Sequence, residues 1–179
     1  YDRFFGGAGF DGTGDWYRFQ SGGVWFFALD TEQSLAPSSP QGVWLASELA
    51  DALKQPGYRF AVVYFHRPWL TCGDNGDDLT TYEAWKKPFA DAKVKLILQG
   101  HMHGYERFDM GDHMVMTVAG GGGLINDPSQ NTGRSECANR KASGAFYHTV
   151  LLHVGATTLE GTTTDDKGTV RDTFSLAVP

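Results

Sequence analysis

Two histidines one residue apart close the stretch Leu96-Ile97-Leu98-Gln99-Gly100-His101-Met102-His103, and their spacing suits metal chemistry. An apolar run that ends in glycine and releases into polar sequence reads as a buried strand feeding a loop. Gly100 lets the backbone turn, and from an irregular loop His101 and His103 can point into one cavity. Imidazole is the commonest metal ligand, so the pair can serve one ion or two neighbouring ones. The competing reading is a surface loop with two solvated histidines. A second stretch, Ala61-Val62-Val63-Tyr64-Phe65-His66-Arg67-Pro68-Trp69, repeats the form: an apolar run ending in His66, with Pro68 stopping a strand in a sheet interior. The three histidines therefore belong at the C-terminal tips of two strands expected to be neighbours. Open α/β sheets bind ligands at that edge.

The elements that must position these tips follow from hydrophobic pattern and turn chemistry. Residues 1–15 read as a Gly- and Asp-rich loop. Trp16 to Gln20 alternates as a short strand, Ser21-Gly22-Gly23 is a turn, and Val24 to Asp30 is a continuous apolar run expected of a strand buried on both faces. Ser39 is the expected N-cap of a helix with Pro40 at its first position; Leu45, Leu49, Ala52 and Leu53 form its apolar stripe, and Pro56-Gly57 ends it. A second helix runs from Leu79 to Ala90, broken or kinked by Pro88. Val94 to Leu98 and His113 to Ala119 are strands, and residues 124–145 read as a long polar loop. Ala145 to Val154 alternates, with Phe146, His148, Val150, Leu152 and Val154 on one face. Segments 157–164 and 169–178 form a closing hairpin around Asp165-Asp166-Lys167-Gly168.

Composition bounds the function. A length of 179 residues suits one domain, 1–179, with a real core. The net charge of −6, with no basic block, argues against a nucleic-acid surface. No apolar run approaches the roughly 18 residues of a membrane-spanning helix. The start lacks Met and the pattern of a signal peptide, and the chain reads as a piece of a longer product. Two tempting motifs fail. Gly120-Gly121-Gly122-Gly123 lacks the Gly-Lys-Ser/Thr of a phosphate-binding loop; the glycines are expected to permit positive φ and close backbone approach. The acidic run Asp74 to Asp78 lacks the glutamate of a calcium loop and reads as a solvated loop at the mouth of the site. His148 and His153 fall on opposite strand faces, where structural or exposed roles are expected.

In order, Val63-Tyr64-Phe65-His66 and Gly100-His101-Met102-His103 resemble the last two metal motifs of the calcineurin-like metallophosphoesterases, V-x-x-H and G-H-x-H. Tyr105-Glu106-Arg107 is similar to a sequence favoured by the purple acid phosphatase branch. The apolar run ending at Asp30, and the helix with Gln41 before Trp44-Leu45, resemble flanking elements of the same family, which makes Trp44 core packing. Asp30 is then expected to cap or orient its loop, because the family's ligands lie elsewhere. The resemblance implies an α/β fold, part of a four-layer αββα sandwich with a C-terminal antiparallel β portion. It implies a metal-dependent phosphoric-ester hydrolase acting on phosphate monoesters with two metal ions of the iron, zinc or manganese class, His66 and His101 on one ion and His103 on the other. Arg67, where family members often carry a second histidine, is a candidate to hold phosphate through its forked donors, or a surface ion-pair partner.

The earlier family motifs, G-D-x-x, G-D-x-x-Y and G-N-H-E, have no match, and Gly14-Asp15-Trp16-Tyr17 stands in the wrong order with its tyrosine one position early. Three neutral imidazoles do not offset the charge of two ions. The expected state of this chain alone is therefore inactive, with at most one weakly bound ion, and its expected partner is the missing N-terminal half of the same domain. The alternatives are a degenerate binding module and a hydrolase with a single zinc on three histidines. Cys72 and Cys137 lie in loops leaving the active edge of the sheet. The mostly secreted or periplasmic setting of purple acid phosphatases would permit them to bridge; two unrelated thiols are the alternative.

Overall fold

The structure, a computed structural model, describes residues 11–12, 15–74, 76–111, 114–130 and 133–179. Its centre is an eight-stranded sheet in the order β1-β2-β3-β4-β5-β7-β6-β8. The strands are β1 (Asp11–Gly12), β2 (Tyr17–Ser21), β3 (Val24–Ala28), β4 (Phe60–Tyr64), β5 (Val94–Gln99), β6 (Tyr105–Asp109), β7 (Val115–Ala119) and β8 (Arg140–Gly144). Strands β3, β4, β5 and β7 are mutually parallel, with Tyr64 opposite Leu98 and Gln99 opposite Val118. The expected adjacency of the two histidine strands is thus present.

Alternation along β4 divides the core. Ala61 and Val63 face a cluster with Phe27, Ile97 and the helix residues Leu45, Leu49, Trp85 and Phe89. Phe60 and Val62 face a second cluster with Leu96, Val115, Leu159 and Val178. Helix α1 (Pro40–Ala52) starts where Ser39 Oγ accepts the Gly42 N–H at 3.1 Å. Leu53, expected on its stripe, is the C-cap and is 39% exposed because the helix has already ended. Helix α2 (Leu79–Asp91) is capped by Asp78, contains Pro88, and buries Tyr82, Trp85 and Phe89. Trp44 packs edge-on against Phe27, as core.

The opposite face of the sheet is covered by a three-stranded antiparallel sheet in the order β11-β10-β9: β9 (His148–Val154), β10 (Thr158–Asp165) and β11 (Val170–Ala177). The layers among the described residues are therefore α, β and β, with the expected closing hairpin in place. Tyr105-Glu106-Arg107 fastens them. Tyr105 Oη donates to Asp172 Oδ2 at 2.8 Å, and Arg107 grips both Asp172 oxygens at 2.5 and 3.0 Å, while Glu106, pointing to the other face, is fully buried.

Two stretches differ from expectation or lie partly outside the described residues. The expected long loop 124–145 contains a 3-10 helix (Ser135–Asn139) and strand β8, which pairs with β6 at the sheet edge. An edge strand is polar on its open side, so Arg140-Lys141-Ala142-Ser143-Gly144 carries little apolar signal. The expected loop at residues 1–15 and the expected strand start at His113 fall largely outside the described residues; within them, Asp11–Gly12 pairs as β1 and the later strand begins at Val115.

Candidate metal centre

The β4–β5 ladder continues beyond both strands. Phe65 N–H donates to Leu98 O at 3.1 Å and Gly100 N–H to His66 O at 3.0 Å, which carries His66 alongside the loop opened by Gly100. His101 Nδ1 then lies 3.2 Å from His66 Nε2, with the rings crossed at 78°. The sharp turn expected of Gly100 falls one residue later. His101 has φ 64°, the left-handed region that strains a residue with Cβ by about 1–2 kcal/mol, while Gly100 is not among the positive-φ glycines. Such strain persists where surrounding structure enforces it. Here the enforcers are the turn hydrogen bonds Met102 N–H to Gly100 O and Gly104 N–H to Met102 O, both 2.8 Å, and the fully buried Met102 side chain.

The 3.2 Å separation has a second meaning. Two imidazole nitrogens each about 2.1 Å from one ion, at an angle of about 100°, stand about that far apart. The pair therefore fits one shared ion as well as a hydrogen bond. His101 is held toward its neutral, metal-competent form: partial burial, then the charges of His66, Arg67 and His103, lower its pKa. His103 is half-buried, and its carbonyl accepts the Asn126 N–H at 2.7 Å. No group of three or more His, Cys, Asp or Glu arranged to hold a metal occurs among the described residues. The donors present fit a single ion between His66 and His101 and do not by themselves fit a dinuclear centre.

Buried polar side chains to which the sequence assigned no role at the site brace this edge. Gln99 Oε1 accepts the Trp69 N–H at 2.6 Å and its amide reaches Leu70 O at 3.4 Å, tying the chain after His66 to the strand before His101. Glu106 accepts from Thr71 Oγ1, from Cys72 N–H at 2.8 Å and from Arg140 at 3.0 Å. Burial pushes its carboxyl pKa up, opposed by those same hydrogen bonds. Beside it Cys72 and Cys137 form a disulfide with Cα atoms 6.0 Å apart. The cue for Gln99 in sequence was an amide inside an apolar run. Arg140 and Thr71 carried none.

Arg67 takes the ion-pair alternative. Its guanidinium grips Glu32 at 2.5 and 3.0 Å, with both side chains more than half exposed. The hydrogen bond from Arg67 holds the Glu32 carboxyl below its usual range. Asp30 orients its loop as expected, accepting from Glu32 N–H at 2.8 Å and Gln33 Nε2 at 2.9 Å, and the buried Gln41 amide clasps its backbone on both sides.

The glycine run makes close approaches but supplies no positive φ. A Cβ on Gly120 would stand 2.0 Å from Met102 O, so only glycine lets β7 press against the histidine loop. A Cβ on Gly121 would stand 2.1 Å from His148 Nδ1. That histidine is structural: its ring packs edge-on against Tyr105 and Phe146, and Nδ1 lies 2.9 Å from Phe146 O. Nδ1 must be the donor to a carbonyl, which leaves Nε2 bare, buried, and without a hydrogen-bond partner among the described residues. Protonating Nε2 would bury an unmatched charge, and desolvation accordingly lowers the His148 pKa. A histidine depressed in the fold binds fewer protons there than when unfolded. Stability is therefore expected to fall as pH drops below its unfolded value of about 6.5. Urea unfolding at pH 7.5 and 5.0 checks this: His148→Gln should lose less stability across the interval than the parent chain, and equal losses would show that His148 does not couple folding to protons.

A scan against protein-family models finds no match. By sequence, the chain is 32% identical over 107 residues to an uncharacterized protein of Mycobacterium tuberculosis, covering 52% of this chain and 20% of the relative. It is 31% identical over 97 residues to purple acid phosphatase 22 of Arabidopsis thaliana, covering 52% and 22%. The matched region thus spans about a fifth of these relatives. By structure, the chain superposes on the yellow lupin (Lupinus luteus) purple acid phosphatase PPD1 with TM-score 0.63 and 19% identity, over 90% of this chain and 32% of that one. It superposes on GAP50, described as the anchor in the inner membrane complex of Plasmodium, with TM-score 0.74 and 19% identity, over 92% and 55%. The fold is that of the metallophosphoesterases. Within that class, the chain is similar to purple acid phosphatases and corresponds to a C-terminal part of their catalytic domain.

Proposed function

We propose that the histidine edge is the metal-binding part of a phosphoric-ester hydrolase of the acid phosphatase kind, acting on phosphate monoesters. The observation that carries this reading is the His66–His101 pair, 3.2 Å apart on the tips of adjacent parallel strands of a metallophosphoesterase fold. His66 and His101 would hold one ion of the iron, zinc or manganese class, and His103, on the same loop, would serve a second. Bound there, the ions supply positive charge against the phosphate and acidity toward an attacking water. The chain's own residues do the rest. Partial burial and neighbouring charges favour the neutral form of His101, and Gly120 and Met102 set the loop that aims it.

The anionic ligands for two ions are to come from a segment outside this sequence, the N-terminal half of the same domain, without which this chain is inactive. The Cys72–Cys137 disulfide supports an oxidising compartment, secreted or periplasmic. No helix among the described residues is long and apolar enough to cross a membrane.

A second reading, a binding module without catalysis, draws on two observations: the lack of a complete metal-holding group among the described residues, and the superposition on a protein described as an anchor. A single zinc on three histidines has less support, because His103 does not group with the other two. Metal content separates these. After loading with zinc and exhaustive dialysis, the chain is expected to retain no more than one loosely held equivalent by elemental analysis. Two tightly held ions per chain would overturn the incomplete-site reading, and none retained even transiently would favour the binding module.

A further inference from the structure

A cleft of about 340 Å³ opens one residue from His66, walled by Thr31, Ser34, Leu35, Arg67, Pro68 and Trp69. Its volume is in the range of small-molecule sites. Thr31 Oγ1 accepts the Arg67 N–H at 2.8 Å, so a single loop junction builds both the histidine edge and this wall. We infer that the cleft is a subsite for an uncharged, ring-sized alcohol, the organic half of a phosphate ester whose phosphorus sits at the histidine edge. The assignment to an ester rests on the phosphoesterase reading; the binding of a neutral ring does not.

The argument is one of charge. Every ionic group on the wall is engaged by protein. Arg67 is paired with Glu32. Asp77 is paired with Arg134 at 2.5 Å, and Asp78 accepts from Thr81 N–H at 3.0 Å and Thr81 Oγ1 at 2.6 Å. A second anion entering the cleft meets no uncompensated cation and lies against two carboxylates, which disfavours it. A neutral ring meets what is there: buried apolar side chains of Leu35, Pro68 and Trp69 beneath, and the Thr31 and Ser34 hydroxyls at the rim. Small-ligand sites combine an apolar surface with a few polar groups in this way.

The test uses the full chain without added metal, titrated with phenol and, separately, inorganic phosphate, and read by backbone amide shifts. Phenol is expected to move the amides of 31–36 and 76–78 saturably. Ala36→Trp, an exposed substitution beside the wall, is expected to weaken phenol by about tenfold or more by filling the cleft. Unmoved amides in β9–β11 show that the variant keeps its fold, and Gln33→Trp serves as a second filling variant. Inorganic phosphate is expected to leave the cleft amides in place. The inference falls if phenol causes no saturable shift there, if neither filled variant weakens it, or if phosphate moves these amides as strongly as phenol. Saturable phenol binding in a chain whose histidines never take up metal would keep the ring site and sink the phosphatase reading instead.

Discussion

Under the phosphoesterase reading proposed above, alanine at His66 or at His101 is expected to lower kcat/KM, measured with the proposed carboxylate-bearing segment present, by about a hundredfold or more. His103→Ala should do the same through the second ion. The two nitrogens of the His66–His101 pair are 3.2 Å apart, so each variant removes half of one donor set and leaves the other imidazole without its partner. Residues that act as a unit are non-additive: the double variant should be scarcely worse than either single one. His148→Ala and His153→Ala are expected to leave the chemistry nearly unchanged, since His148 packs beneath Gly121 and His153 is exposed on β9. Metal content measured on the same samples should fall in step with activity for His66 and His101. Should the β9 histidines matter as much as the loop pair, the site has been put on the wrong edge.

What made this site legible was the local form of two strands. Each apolar run announced a buried parallel strand, and each ended in histidine, so the meeting of His66 and His101 needed only that the strands be neighbours. The partners that hold the edge were not legible, because none is local. Arg67 finds Glu32 across 35 positions, Arg107 finds Asp172 across 65, and Gln99 reaches back 30 to Trp69. No periodicity encodes such pairings; they follow from which strands lie side by side. Backbone strain was misplaced for a similar reason. Gly100 looked like the turn, but the turn's geometry is enforced by the burial of Met102 and the contact with Gly120, and these put the positive φ on His101 itself. Strand β8 was hidden because an edge strand with one open side has little apolar pattern to read. The disulfide was open in sequence between a bridge and two unrelated thiols, and only the approach of the loops around Glu106 decides for the bridge.

Removing that bridge, by Cys72→Ala with Cys137→Ala, is expected to cost about 4 kcal/mol of unfolding free energy, the chain-entropy value for a loop of this length. The sequence separation it spans is 65 residues, which carries helix α2, both loop histidines and the strands β5 to β7. Against a typical total of about 5–15 kcal/mol, that is a large share. The folded state has reasons to keep its shape without the bond. Glu106 still accepts the Cys72 N–H at 2.8 Å and still pairs with Arg140, three residues past Cys137, at 3.0 Å. The loss should therefore act chiefly through the unfolded chain, which gains the freedom the bridge had denied it. The signature is specific: near-native spectra for the variant, a lowered urea midpoint, and a steeper dependence on urea as the denatured state expands. Because Cys72 is fully buried and Cys137 nearly so, reductant should act slowly on the native protein and quickly once urea opens it. Thiol titration of the unfolded, unreduced chain should find no free thiol. An unchanged midpoint in the double variant would show that the bridge contributes little to stability, and two free thiols in the unfolded, unreduced chain would withdraw the support it gives to an oxidising compartment.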